Sequence, residues 1–442
     1  MKKRRTSSSL AHSFKALSIA MFIPLGAGCS AADDAPPDEQ SAAPPKLCQM
    51  SLTCAQEIVD EPKRSCQFSV IDGAGSKIYD SFAGVEVRGR SSQAFPKKNY
   101  AIELRGANST SAPENPVNLL DMGKESDWVL DGSWADRSFS RNALVFDSFR
   151  DLRMEDWAPE SRFCTLSLNE KPQGIYRLVE KIKRDDDRVS VAADDGTGSS
   201  FVIKQDGDGV LTLQIGLESK WQLIYPKQDS ATSAQRAGVQ ALLDKLKTAL
   251  ANPSSSDASS GVFSLLDFEN TVDWVLIEEF SKNIDAYNLS VHLARSAGGK
   301  AVLIPWDIDL SLGQPIVKGE TTSASNDAPE GFIVHRSNFI NALTKIGAFK
   351  ARLGTRWREL RAGALAEATL LGRLDRYEMT LDPARVAENF SIWPIQEIDY
   401  AGIYAPYSLP KVASHGEEMS RLESFISARL TWIDAHIETY PN

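Results

Sequence analysis

Hydrophobic and polar positions alternate along the first half of the chain and shift to a helical spacing in the second. Residues 84–89 (Gly-Val-Glu-Val-Arg-Gly) and 99–105 (Asn-Tyr-Ala-Ile-Glu-Leu-Arg) put apolar side chains at alternate positions, as half-buried strands do. Apolar runs at 162–168, 174–182, 201–204 and 211–215 predict further strands. From about residue 232 the apolar spacing becomes three and four, predicting helices over 232–251 and 264–282. A hairpin then interrupts: 292–295 leads through Ser296-Ala297-Gly298-Gly299 into 301–306, which ends Ile304-Pro305-Trp306. Beyond a polar loop at 318–330, helical patterns return at 337–378 and 415–438. The order of sheet, helices, hairpin, helices predicts an α+β protein.

Composition narrows the function classes. Of 442 residues, 42% are hydrophobic and 24% charged, which excludes a fully disordered, collagen-like or coiled-coil chain. With 49 Lys+Arg against 59 Asp+Glu and no long basic tract, the net charge of -10 argues against a general nucleic-acid binder. Only five His are present, so carboxylates must carry most of the polar chemistry.

The amino terminus reads as an export signal. Lys-Lys-Arg-Arg at 2–5 precedes an apolar stretch at 16–25 and then Gly26-Ala27-Gly28-Cys29-Ser30. A Cys after small residues is the arrangement of a bacterial lipoprotein, which makes residues 1–28 the cleaved signal and Cys29 the lipidated first residue; ordinary secretion is the alternative. The apolar stretch falls short of the roughly 20 residues that span a bilayer, so membrane contact is expected only through the lipid. Ser30 is not an acidic retention residue, which favours the outer membrane or cell surface. The Pro/Ala/Asp-rich segment 29–46 predicts a disordered linker. The folded body is expected over 47–440, strand-rich to about 230 and mainly helical from 231. Four cysteines, Cys48, Cys54, Cys66 and Cys164, fit two disulfides of an oxidising compartment, in any of three connectivities. Zinc is the competing reading, but their spacings match no finger or ribbon.

Candidate chemistry concentrates at the hairpin. Trp306-Asp307-Ile308-Asp309 puts two carboxylates directly after an apolar strand, where both can reach one divalent cation whose shell substrate phosphates complete. Upstream, Asn283-Ile284-Asp285-Ala286-Tyr287-Asn288 follows a helix. A phosphotransferase of the protein-kinase type needs an Asp that orients and deprotonates the acceptor, an Asn on metal, and a second metal-binding Asp delivered by a hairpin. Asp285 and Asp307 are 22 residues apart, which leaves room for that hairpin. The plainer account is that these Asp residues cap helices and make turns. Positive charge for phosphates comes from 88–98 (Arg-Gly-Arg-Ser-Ser-Gln-Ala-Phe-Pro-Lys-Lys), a loop that could equally be a solvated hairpin tip. Glu180 and Lys204 each interrupt an apolar strand, as a phosphate-positioning Lys and its Glu partner would, or as exposed strand residues would.

Five segments in order, Arg-Gly-Arg-Ser-Ser-Gln-Ala-Phe-Pro-Lys-Lys-Asn-Tyr (88–100), Trp-Ala-Asp-Arg-Ser-Phe-Ser-Arg-Asn (134–142), Gly-Ile-Tyr-Arg-Leu-Val-Glu (174–180), Asn-Ile-Asp (283–285) and Pro-Trp-Asp-Ile-Asp-Leu-Ser-Leu-Gly (305–313), resemble the CotH family of atypical kinases first associated with spore coat protein H. The resemblance implies a divergent bilobal protein-kinase-like fold, with a strand-rich first lobe, a mainly helical second lobe and an inserted hairpin. It also implies transfer of the ATP γ-phosphoryl group, with Mg²⁺ or Mn²⁺, to Ser or Thr of a protein substrate. Carried onto this chain, Asp285 becomes the catalytic-loop Asp, Asp307 a metal ligand, and Asp309 a second ligand or support. Arg88 and Lys97 or Lys98 would contact phosphates, with Glu180 and Lys204 in looser correspondence. Asp136, Ser138 and Arg141 fall in a recurring family segment, although an N-cap ahead of a buried helix explains them as well. One departure concerns the metal-binding Asn: protein kinases place it five residues after the catalytic Asp, whereas Asn288 follows Asp285 by three. A second is compartment, because ATP is scarce outside the cytoplasm. Two other classes stay open: a metal-dependent glycosyltransferase holding a nucleotide-sugar diphosphate on Asp307-Ile308-Asp309, and an inactive surface protein that keeps the fold.

Overall fold

The computed structural model describes residues 46–205, 209–213, 220–253, 256–314, 316–317, 326–397 and 407–440. The export signal, Cys29 and almost all of the linker lie outside that set.

The chain opens with β1 (Cys48–Cys54), β2 (Arg64–Ile71), β3 (Lys77–Arg88) and β4 (Asn99–Arg105). A short pair follows, β5 (Val117–Asn118) with β6 (Lys124–Glu125), and then β7 (Asp127–Asp131), α1 (Arg141–Arg150), β8 (Ser161–Leu168) and β9 (Lys171–Glu180). Seven of these strands close into a barrel in the order β1-β2-β3-β4-β7-β9-β8. Every neighbouring pair is antiparallel except the closing one, where β8 runs parallel to β1 with Cys48 opposite Cys164. Alternation fills the interior: Met50 and Leu52 of β1, Phe68 and Val70 of β2, and Ile102 and Leu104 of β4 point into one core with Trp128, Leu130 and Leu178. Each such side chain contributes about 1.5–3 kcal/mol by leaving water.

The four cysteines pair as Cys48–Cys164 and Cys54–Cys66, with Cα separations of 4.3 and 4.4 Å. Both bonds hold β1, one to each of its neighbours in the barrel. Disulfides of this kind are compatible with an exported protein. Among the described residues no helix is long and apolar enough to cross a membrane.

The second sheet contains β10 (Phe201–Gln205), β11 (Leu211–Thr212) and β12 (Lys220–Tyr225), which precede α2 (Ser233–Ala251) and α3 (Phe268–Ser281), and then β13 (His292–Arg295) and β14 (Val302–Ile304). Its order is β11-β12-β10-β13-β14, antiparallel throughout, so the hairpin completes a sheet begun ninety residues earlier. Past β15 (Ile316–Val317) come α4 (Asn338–Leu343), α5 (Gly347–Arg361), α6 (Glu367–Thr380), α7 (Pro383–Ile392), β16 (Tyr407–Ser408), which pairs with β15, and α8 (His415–His436). Thr232 starts α2 with a reciprocal capping box to Gln235, and Asp267 caps α3 by accepting from the Asn270 N–H. Helix α3 is buried from Asn270 to Ser281 and runs through the larger core, against Phe349, Leu353, Ile433 and Tyr440.

The α+β expectation holds. The bilobal kinase-like arrangement is met only at that coarser level, because the strand-rich half is a closed seven-stranded barrel with a separate five-stranded sheet after it. Closure depends on the parallel meeting of β1 and β8, more than a hundred residues apart, which no local periodicity announces.

Candidate functional site

Two loops carry the acidic residues, and main-chain hydrogen bonds stitch them together. Helix α3 ends at Lys282, whose backbone is left-handed at φ 50°, and the chain turns out through Asn283, Ile284 and Asp285. The second loop leaves β14 through Pro305 and Trp306 to Asp307, also left-handed at φ 64°. The Leu312 N–H donates to the Ser281 carbonyl at 2.7 Å, and the Ile284 N–H donates to the Leu310 carbonyl at 3.1 Å. Asn283 spans the gap: its Nδ2 donates to the Glu278 carboxyl at 3.3 Å and to the Asp307 carbonyl at 3.4 Å, and its Oδ1 accepts from the Asp285 N–H at 3.2 Å. Burial pushes the Glu278 carboxyl up to about 8, against the pull of that Asn283 bond.

The 134–142 segment bolts the second loop down. Asn142 accepts the Ile308 N–H at 2.8 Å, fixing the residue between the two acids. Arg141, fully buried, donates to the carbonyls of Ser311 at 2.9 Å and Leu312 at 3.2 Å. Its charge is met by Asp136 at 2.7 Å and by Glu418 of α8 at 2.8 Å. Burial alone would raise the Glu418 carboxyl, but Arg141 and Arg421 hold it down at about 2. Asp136 also accepts the first N–H of α1, at Arg141, so capping and anchoring are both present. We expect Arg141→Ala to lower unfolding free energy by about 3–5 kcal/mol, since it strands buried carboxylates. Denaturant titration checks this, and an unchanged midpoint would remove Arg141 as the anchor.

The basic loop packs against the Asp307 loop. Gly89, at φ 106°, and a short turn at Ser91–Ala94 bring Phe95 into an apolar cluster with Trp134 and Leu310, against which Ile284 packs. Arg88 stacks over the Trp306 ring, 5.6 Å from its centroid, and its charge acts on Asp307. The Asp307 carboxyl is open to solvent on one side yet crowded by protein, which raises its pKa; Ser290, Arg88 and Lys204 pull it down and Asp131 pushes it up. Asp309 is raised well above the ordinary range, first by burial and then by the negative charges of Asp307, Asp131, Asp136 and Asp285. Asp309 therefore lies within electrostatic reach of both Asp307 and Asp285, and Asp307 within reach of Arg88 and Lys204.

The family model for CotH kinase protein matches residues 85–433, most of the chain. This chain belongs to the CotH kinase family. No curated protein matches it. All five family-like segments lie inside the matched region, and each touches at least one of the others in the fold.

Of the other expected site residues, Lys97, Lys98 and Glu180 are engaged away from the two acidic loops, whereas Lys204 and Asn288 lie beside them. Lys97 is buried, with Nζ donating to the Ile175 carbonyl at 2.6 Å and to Asn389 of α7 at 2.9 Å, and burial takes its pKa down to about 7. Lys98 donates back to the Gln93 carbonyl at 2.6 Å, bracing the loop from inside. Glu180 pairs with Arg188 at 2.6 Å and accepts the Glu160 N–H at 2.9 Å; burial carries its pKa to about 7. Lys204 lies on β10, within electrostatic reach of Asp307. Asn288, whose N–H donates to the Asp285 carbonyl at 3.0 Å, is buried in the turn after the first acid.

Sequence reading missed Asp131, at the end of β7. It is ion-paired to the buried Arg177, accepts the Ser133 N–H at 2.8 Å, and bears on both Asp307 and Asp309. Its only signal was an Asp before Gly132, which reads as a turn. A separate trio, Asp375 and Glu378 of α6 with Glu423 of α8, is built from elements other than these loops.

The carboxylate pair suits a hard divalent cation. The charge of Asp307 raises the pKa of Asp309, and a cation beside them would relieve that repulsion.

Proposed function

We propose that this CotH kinase is an exported protein Ser/Thr kinase, anchored by lipid at Cys29, that uses ATP with Mg²⁺ or Mn²⁺. The observation that carries the reading is the joining of the Asp285 loop to the Asp307–Asp309 loop by main-chain hydrogen bonds, with Arg88 over Trp306 and its charge acting on Asp307. Asp307 would hold the metal ion, with Asp309 as ligand or support, and Arg88 and Lys204 would offset phosphate charge. A bound divalent ion supplies charge neutralisation for the transferring phosphoryl group. Asp285 would orient the acceptor hydroxyl and take its proton as the oxygen bonds to the γ-phosphorus and ADP leaves. The positions of Lys97, Lys98 and Glu180 suit support of the loop and the barrel better than phosphate contact.

The test is phosphate transfer by the fragment starting at residue 47 onto itself or onto a Ser/Thr-rich protein. In Asp285→Asn we expect nucleotide binding to persist while turnover falls by about 10²–10⁴-fold, the span assigned to a general base. Full activity in that variant would take Asp285 out of the chemistry.

A further inference from the structure

Five residues after Asp285, where protein kinases carry the Asn that binds metal, this chain has Ser290. The Ser290 hydroxyl donates to Asp307 Oδ2 at 3.0 Å. Its backbone is left-handed at φ 57°, a conformation that Asn adopts several-fold more readily than most residues. His292 fixes that conformation, donating from Nδ1 to the Ser290 carbonyl at 2.7 Å. The loop therefore places a hydroxyl on Asp307 at the position where the kinase spacing puts an amide.

The distance is informative. An octahedral Mg²⁺ holds oxygens at about 2.0–2.1 Å, which puts neighbouring ligand oxygens about 3 Å apart. Ser290 Oγ and Asp307 Oδ2 are already at that separation. Building on the kinase reading, we infer that Ser290, not Asn288, supplies the neutral oxygen beside Asp307 on the divalent ion. A hydroxyl is a poorer donor than an amide carbonyl, so this chain holds its ion more loosely at that corner than an Asn-bearing site would.

The experiment is Mn²⁺ titration, with the free ion followed by its electron spin resonance, on the protein from residue 47 with and without ADP. Ser290→Ala should weaken Mn²⁺ binding by roughly tenfold, while Ser290→Asn should bind at least as tightly as the unchanged protein and melt no lower in metal-free buffer. Asp307→Asn separates the two readings. If it loses Mn²⁺ while both Ser290 variants titrate like the unchanged protein, the metal site stands and the Ser290 assignment falls. Weakening in Ser290→Asn as well as in Ser290→Ala also overturns it, because an amide oxygen at that position should reach the ion. If Asp307→Asn binds Mn²⁺ normally, or no form binds it, the kinase reading and this inference fall together.

Discussion

Asp307→Asn should abolish metal-dependent nucleotide binding and lower phosphoryl transfer by at least about 10³-fold. The amide keeps the size of the side chain and can still accept from Ser290, now 3.0 Å from Oδ2, so the loop should hold its shape. What is lost is the negative charge that captures a hard cation, beside Arg88 and Lys204, which would otherwise meet phosphates without metal between them. Calorimetric titration with an ATP analogue, with and without Mg²⁺, checks this directly. Asp307→Asn that binds the Mg²⁺ complex as the unchanged protein does would remove Asp307 from the metal site.

The largest stability effect should come from reduction. In chain-entropy terms, closing the 116-residue separation between Cys48 and Cys164 is worth about 5 kcal/mol, and the 12-residue separation between Cys54 and Cys66 about 3 kcal/mol. Those values compare with a total stability of about 5–15 kcal/mol for a folded domain, so the reduced protein should melt far lower. Replacing Cys48 and Cys164 together should cost more than replacing Cys54 and Cys66 together. Thermal melts of the oxidised, reduced and paired Cys→Ala proteins test the order, and coincident melts would mean that neither bond constrains the unfolded chain.

Much of the local structure was legible in the sequence because it follows a period. The alternation at 99–105 is β4 itself, and the helical spacing at 232–251 is α2 to within a residue. Strand β7 escaped because Trp128 and Leu130 enter the barrel core while Val129 packs on the other side, so no polar position marks a period of two. Helix α1 shows no amphipathic period either, being buried from Arg141 through Phe146, and only the expected N-cap ahead of a buried helix pointed to it.

At the site, the acids of the two loops were readable because each follows a strongly patterned element, α3 or β14. The spacing of the kinase template carried information too: taken at five residues it points to Ser290, taken at the nearest Asn it points to Asn288. Lys97 and Lys98 could not be separated from phosphate contacts by sequence, since their carbonyl partners at Ile175 and Gln93 exist only in the folded chain. Asp131 was invisible for the same reason: its nearness to Asp307 and Asp309 depends on strand β7 closing between β4 and β9.

The Cys48–Cys164 bond also makes the first part of the fold a covalent ring. The ring contains the basic loop, Asp131 and the Asp136–Asn142 anchor, and the exposed turn near Ser109–Ala112 lies on it. A protease that cuts at that turn opens the ring without releasing a fragment, so both sides of the cut stay tied at β1 and β8. A clipped molecule would run as one piece until its disulfides are reduced, and then as two.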